Sequence, residues 1–268
     1  MLHRNRAADP TAHLRPLLIA AALLAALPST ADGHWQPRPT TAPWQWQLQG
    51  RIDTSVAAPV YEIDGFDVGQ QVVRKLHRQG RRAICYLDIG SWESYRPDAG
   101  RFPESVKGKR YEGYPQERWL DIRRIGVLAP ILDDRFDRCA RKGFDAVEPD
   151  NVNGYTNDTG FPLTGKDQLR FNRWVAEQVH RRGMSVALKN DGEQADVLAG
   201  DFDFAVVEQC FQYDECGAYR AFVAAGKAVF EAEYELPPSR FCQDAERLRF
   251  SAIRKSYDLF ARPWRPCG

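Results

Sequence analysis

Short apolar runs recur along this chain, and each ends in polar or charged residues. Val60–Asp64, 83–88, 146–148, Ser185–Lys189, Phe204–Glu208, 228–232 and 251–255 have the length and composition of strands, with 118–122 a weaker candidate. Between them lie stretches with helical period, at 68–79, 128–142, about 166–182, 219–225 and 244–250; Gly80 and Gly143 mark two of the stops. About eight strand-then-helix units predict an α/β chain folded as a single (β/α)8 TIM barrel. A doubly wound open sheet is the alternative, but no glycine-rich dinucleotide loop follows the first strand. No internal repeat or second domain is apparent.

The N-terminus follows another pattern. Arg4, Arg6 and Arg15 precede an apolar run over 17–27, and Pro28-Ser29-Thr30-Ala31 follows as a small-residue cleavage pattern. That run is short for a bilayer span, so residues 1–31 are expected to be a signal peptide cut after Ala31, with a retained anchor as the alternative. Residues 32–43, rich in Pro, Thr and Trp, make an extended lead-in, and 44–268 form the barrel. All six cysteines follow the signal, which points to export and disulfides. Cys210 and Cys216 can bridge one loop; Cys242 with Cys267 would tie down the C-terminus, leaving Cys85 with Cys139. A zinc site is the competing use, but no CxxC pair or HxxxH spacing occurs.

The chain carries a net charge of +1; losing three Arg and one Asp with the signal leaves about −1. This gives no electrostatic footprint for nucleic acid. A secreted monomer without a cofactor, and without stable membrane insertion after cleavage, is expected. Of the five histidines, His3 and His13 leave with the signal, His34 lies in the lead-in, and His77 and His180 fall within helices.

In a barrel of this kind the C-terminal strand ends converge on one face, where reactive groups collect. Those ends carry Asp64, Asp88, Asp121, Asp150, Lys189-Asn190, Glu208-Gln209 and Glu233-Tyr234. A lone acid after a strand is commonly a cap or turn residue, and Asp64, Asp88 and Asp121 fit that use as well as any other. Asp150 and Glu208 differ, because each follows an apolar strand and is flanked by an amide side chain. Glu148 shares a strand face with Asp150, and either could be the reacting carboxylate; Asp150 lies nearer the open end. Lys189 is expected to pair with one of these acids, as a salt bridge or as a substrate contact. Two carboxylates, with no metal-ligand spacing, Ser/His pair or phosphate loop, fit glycoside hydrolysis. A binding barrel without activity, or a metal-dependent hydrolase, are the rival classes.

Five segments, in order, carry a family resemblance: 86–98 (YLDIGSWESYRPD), 117–122 (ERWLDI), 143–155, Leu188-Lys189-Asn190, and 208–216. Together they resemble glycoside hydrolase family 114, the endo-α-1,4-polygalactosaminidases and relatives, from about Trp44 to the C-terminus. The resemblance implies a TIM barrel that cleaves α-1,4-linked, partly deacetylated galactosamine-containing polysaccharide outside the cell. It places the two catalytic acids at Asp150 and Glu208. By analogy with other α-glycoside-cleaving barrels, Asp150 on the fourth strand is the nucleophile and Glu208 on the sixth the general acid/base. Substrate contacts are expected from Asp64, Asp88, Trp92, Glu93, Glu148, Asn151, Tyr155, Lys189, Asn190, Gln209, Tyr213, Glu233 and Tyr234. Retention or inversion stays open.

Overall fold

Short segments buried on both faces build eight parallel strands: β1 (Trp44–Gln47), β2 (Val60–Asp64), β3 (Arg82–Asp88), β4 (Ala146–Asp150), β5 (Ser185–Lys189), β6 (Phe204–Glu208), β7 (Val229–Glu233) and β8 (Ser251–Arg254). Each pairs in parallel with the next along the chain. The computed structural model describes residues 33–268; the expected signal peptide and its cleavage site lie outside the described residues. Helices α1 (Gln70–Arg78), α2 (Ile125–Lys142), α3 (Gly165–His180), α4 (Ala195–Leu198), α5 (Arg220–Ala224) and α6 (Cys242–Leu248) follow the strands. Gly143 ends α2 in the left-handed conformation, at φ 82°, and a Thr164/Asp167 capping box starts α3. No helix among the described residues is long and apolar enough to cross a membrane.

The strand period of two sorts the side chains into two cores. Trp44, Trp46, Ile84, Phe204, Val206, Phe230 and Ile253 fill the barrel interior. Tyr61, Ile63, Leu87, Val147, Leu188, Val207 and Val229 pack outward with residues of the helices. Lys255, donating to Gln45 Oε1 at 3.0 Å, and Trp264, donating to the Trp44 carbonyl at 2.7 Å, bridge the seam between β8 and β1. Arg265–Pro266 adds a short antiparallel strand to β8. At the opposite end from the strand C-termini, residues 33–43 cross the barrel base: Ala228 N–H donates to the Pro37 carbonyl at 2.9 Å, and the Ser185 and Ser251 hydroxyls donate to Trp35 and Ala42 carbonyls.

One expected strand is misplaced. Residues 118–122 do not enter the barrel; Tyr114–Leu120 pairs antiparallel with Ser91–Glu93 and Lys107–Tyr111 in a separate three-stranded sheet. Asp121 therefore leaves the set of barrel strand ends, and its carboxylate accepts from Arg123 at 2.7 Å. The vacant place is taken by β1, whose sequence WQWQ has an alternating pattern but is buried at all four positions. Omission of β1 offsets inclusion of 118–122, so Asp150 and Glu208 stay on the fourth and sixth strands.

Disulfides join Cys85 of β3 to Cys139 of α2, Cys210 to Cys216, and Cys242 of α6 to Cys267. The first closes a separation of 54 residues, for which chain-entropy arguments give about 4 kcal/mol. Replacing both Cys85 and Cys139 with Ala should therefore lower unfolding free energy by about 3–4 kcal/mol, read from urea denaturation; a loss below about 1 kcal/mol would contradict this role.

Candidate active site

At the top of the interior layer, three neighbouring strands each deliver one charged group. β4 ends in Asp150, β5 in Lys189 and β6 in Glu208. The Lys189 ammonium lies 2.8 Å from Glu148, 3.0 Å from Asp150 and 3.2 Å from Glu208. Because Asp150 and Glu208 touch one nitrogen, their nearer oxygens are no more than about 6.2 Å apart. Burial alone would push the ammonium down, but Asp150, Glu148 and Glu208 hold its pKa well above the ordinary lysine value. Its charge also sits 4.8 Å from the Trp46 ring centroid, on the barrel floor.

Both acids have further donors. Tyr86 hydroxyl donates to Asp150 Oδ2 at 3.0 Å and Asn151 N–H to Oδ1 at 2.8 Å. Asn190 Nδ2 donates to Glu208 Oε2 at 3.2 Å, the Tyr234 hydroxyl donates to Oε1, and Glu208 N–H donates back to Asn190 Oδ1 at 2.9 Å. Burial first, then the adjacent carboxylates, keeps both tyrosines protonated far above their usual range. Immediately after these three strands the backbone turns left-handed: Asn151 has φ 61°, Asn190 φ 49° and Gln209 φ 56°. Among residues with a side chain Asn tolerates this conformation well, Gln209 less so, and the turn stops each strand abruptly, so the preceding side chains stay at the mouth. Gly90 is needed for a different reason, close backbone approach: a Cβ there would collide with the Asn151 carbonyl, while Gly90 N–H donates to the Asp150 carbonyl at 3.1 Å.

A cavity of about 330 Å³ opens above the acids, lined by Asp150, Asn151, Lys189, Asn190, Glu208 and Tyr234 among others. It adjoins a recess of about 820 Å³ that shares Asn190, Glu208 and Tyr234 and adds Tyr155 and Gln209. Six of the expected substrate contacts lie outside both. Glu148 is fully buried beneath Lys189, which removes it as a candidate reacting carboxylate. Asp88 is buried and receives Ser91 and Asn151 donors, so it organises the loops. Glu93 is buried against Arg96 at 2.8 Å, and the Trp92 ring lies 4.2 Å from the Lys107 ammonium, donating to the Ala99 carbonyl. Glu233 points to the outer face, by the strand period, and accepts the Phe211 and Gln212 N–H groups. Tyr213 is exposed on the loop beyond. Asp64 reaches the cavity rim, but Arg96 holds both its oxygens at 3.1 and 2.7 Å.

Other cleft residues were not anticipated. Tyr86 shares parity with Asp88 on β3 and was legible by strand period. Tyr111, Tyr114 and Glu117 come from the antiparallel hairpin, and Tyr257 from the loop after β8. Tyr111 stacks on Trp119 with centroids 4.6 Å apart, and Tyr257 on Tyr234 at 4.4 Å, giving the cleft two aromatic walls. Burial, then Glu93, raises Glu117 to about 7. Beneath the larger recess, burial raises Asp191 to about 7.

A parallel eight-stranded barrel with two solvent-reachable carboxyls and aromatic walls at its C-terminal mouth defines a glycosidase-type barrel. The family model of glycoside-hydrolase family GH114 matches residues 25–267, and the chain belongs to that family. Its structure is similar to Aspergillus fumigatus Ega3 in complex with galactosamine, at 37% identity and TM-score 0.81, over 85% of this chain and 96% of that one. The glycoside hydrolase domain of PelA from Pseudomonas aeruginosa, at 14% identity and TM-score 0.66 over 84% of this chain and 98% of that one, shares the fold. No curated protein sequence matches the chain.

Replacing Lys189 with Met would leave Glu148 without its cation in the interior. Loss of one partner from a buried pair typically costs about 3–5 kcal/mol, so urea unfolding of the variant should show a deficit of at least about 2 kcal/mol. Wild-type stability would contradict the hub role.

Proposed function

We propose that this protein is exported and hydrolyses α-1,4-linked galactosamine-containing polysaccharide with retention, Asp150 acting as nucleophile and Glu208 as general acid/base. The observation that carries the reading is the shared ammonium. Its two contacts bring the nearer oxygens of the acids within about 6.2 Å, so both reach a single glycosidic bond, and this accommodates the roughly 5–5.5 Å between carboxyls of retaining enzymes. Asp150 attacks the anomeric carbon while Glu208 protonates the departing oxygen; Glu208 then takes a proton from water as the ester at Asp150 is cleaved. Tyr86, Lys189 and Asn151 N–H aim and stabilise the Asp150 carboxylate.

The substrate class follows from charge as well as from the relative that holds galactosamine. Glu117 lines the smaller cavity, and Glu193, Asp214 and Glu215 line the larger recess, whereas the Asp191 carboxyl beneath it is buried against Asn172. The lining acids, rather than the already paired Asp64, Asp88, Glu93 and Glu233, are placed to meet ammonium groups of a deacetylated polymer. Disulfides and the arginine-then-apolar N-terminus support export.

Asp150→Asn and Glu208→Gln should each reduce polymer cleavage at least about a thousandfold while the variants stay folded, and NMR of early wild-type products should show the α-anomer. Activity near wild type in either variant would reject the pair, and an initial β-anomer would reject retention. A second outcome comes from Glu117, whose carboxyl is raised to about 7 by burial, then by Glu93. It gains a proton and loses its negative charge as pH falls through 7, so KM for the deacetylated polymer should rise between pH 8 and 6, by up to about tenfold per unit. KM for a fully acetylated polymer should not follow; parallel curves would refute the acidic-cleft role.

A further inference from the structure

Below the reactive acids, β2 and β4 each send a second carboxyl into the barrel. Glu62 and Glu148 are both fully buried. Glu148 touches Lys189 at 2.8 Å. Glu62 has no hydrogen-bond donor among the described residues; the Glu148 carboxyl is its polar neighbour within bonding reach. Two carboxyls in contact away from water cannot both ionise, so they hold a proton between them. Lys189 favours the charge on Glu148, and burial followed by the Glu148 charge pushes Glu62 well above the usual carboxyl range. Glu62 is then the proton holder.

We propose that the Glu62–Glu148 pair, carrying one proton and one negative charge, positions the reaction by supplying the fixed counter-charge of Lys189. The ammonium is thereby left to stabilise a single further charge as that charge moves between Asp150 and Glu208. This rests on the roles proposed above for those two acids. The first step requires Asp150 as the carboxylate and a proton on Glu208. Attack by Asp150 forms its ester bond to the anomeric carbon, the glycosidic bond breaks, and the Glu208 proton goes to the departing oxygen. Asp150 is now neutral and Glu208 anionic. Water then adds its oxygen to the anomeric carbon, returns a proton to Glu208, and releases the Asp150 carboxylate. Throughout, one anion of the two faces Lys189, at 3.0 or 3.2 Å.

The surroundings allow this balance. From β3, Tyr86 and Asp88 face the cluster, and from β7, Tyr234; burial first, then neighbouring carboxylates, raises all three well above their usual values. From β1 the neighbour is the Trp46 ring. Just after β8, the Lys255 amine, lowered to about 7 by burial and then by Arg262, is turned away toward Gln45 and the Phe260 and Ala261 carbonyls. Without the Glu148 charge, Lys189 would carry a surplus positive field beside Glu208, favour its carboxylate and deprive the reaction of its acid.

The test is the pH dependence of kcat/KM for wild type, Glu148→Gln and Glu62→Gln. Glu148→Gln should move the alkaline limb down by about one pH unit, giving about a tenfold deficit at neutral pH that shrinks in acid. The deficit should also shrink on an aryl α-galactosaminide whose phenol departs without protonation. Glu62→Gln keeps an N–H donor for Glu148 and should stay within about threefold of wild type. A deficit in Glu148→Gln equal at every pH and on both substrates, or a limb shift in Glu62→Gln instead, would overturn the proposal. Infrared difference spectra of wild type minus Glu62→Gln need no activity and should contain a protonated-carboxyl carbonyl band at neutral pH. Its absence overturns the shared proton, whereas a wild type inactive on every α-galactosaminide overturns the proposed function instead.

Discussion

A buried lysine ammonium that serves three carboxyls is the constraint on which the mouth of this barrel depends. A lysine at the end of an apolar strand would lose its charge if left alone in the interior. Lys189 keeps it because β4 brings Glu148 and Asp150 on one face and β6 brings Glu208 from the other side. The cluster therefore ties three neighbouring strands at one height in the barrel. It also sets the spacing of the acids, since each must reach the same nitrogen.

The surrounding chain braces that geometry from both sides. Tyr86 and Tyr234 approach from β3 and β7 with hydroxyl donors. Left-handed residues after three consecutive strands end each strand at its charged side chain. The Asp88 carboxyl binds Ser91 and Asn151, and Glu233 holds the loop closed by Cys210–Cys216. Several acids that look reactive in a list of strand ends thus act as loop anchors one layer away from the sugar-sized space. Placement of strain and buried charge around a site, supported by the scaffold, is a common feature of functional centres.

Much of this was legible in the sequence. The run Ala146 to Asp150 and the run Phe204 to Glu208 announce apolar strands that end in acids, and parity along each strand places Asp150 and Glu208 inward. Parity also distinguishes Glu233 from Tyr234, a step that the strand-end argument alone did not take. What stayed hidden has physical causes. Trp44 and Trp46 alternate with Gln45 and Gln47, yet both faces of β1 are buried, because Gln45 and Gln47 donate to carbonyls of the C-terminal segment and the following loop. Tyr111 and Tyr114 lie on a hairpin of charged residues with little apolar periodicity, and that hairpin folds over the barrel mouth through tertiary contacts alone. The depth of Glu148, two residues from Asp150, depends on barrel tilt and layering rather than on local pattern.

The most direct measurement is covalent trapping. Glu208→Gln should be incubated with an α-galactosaminyl fluoride, whose fluoride departs without an acid while the missing base slows release of the sugar. Peptide mass spectrometry should then find one galactosamine unit esterified to Asp150. A label on any other residue, or turnover of the fluoride with inversion and no adduct, would contradict the account.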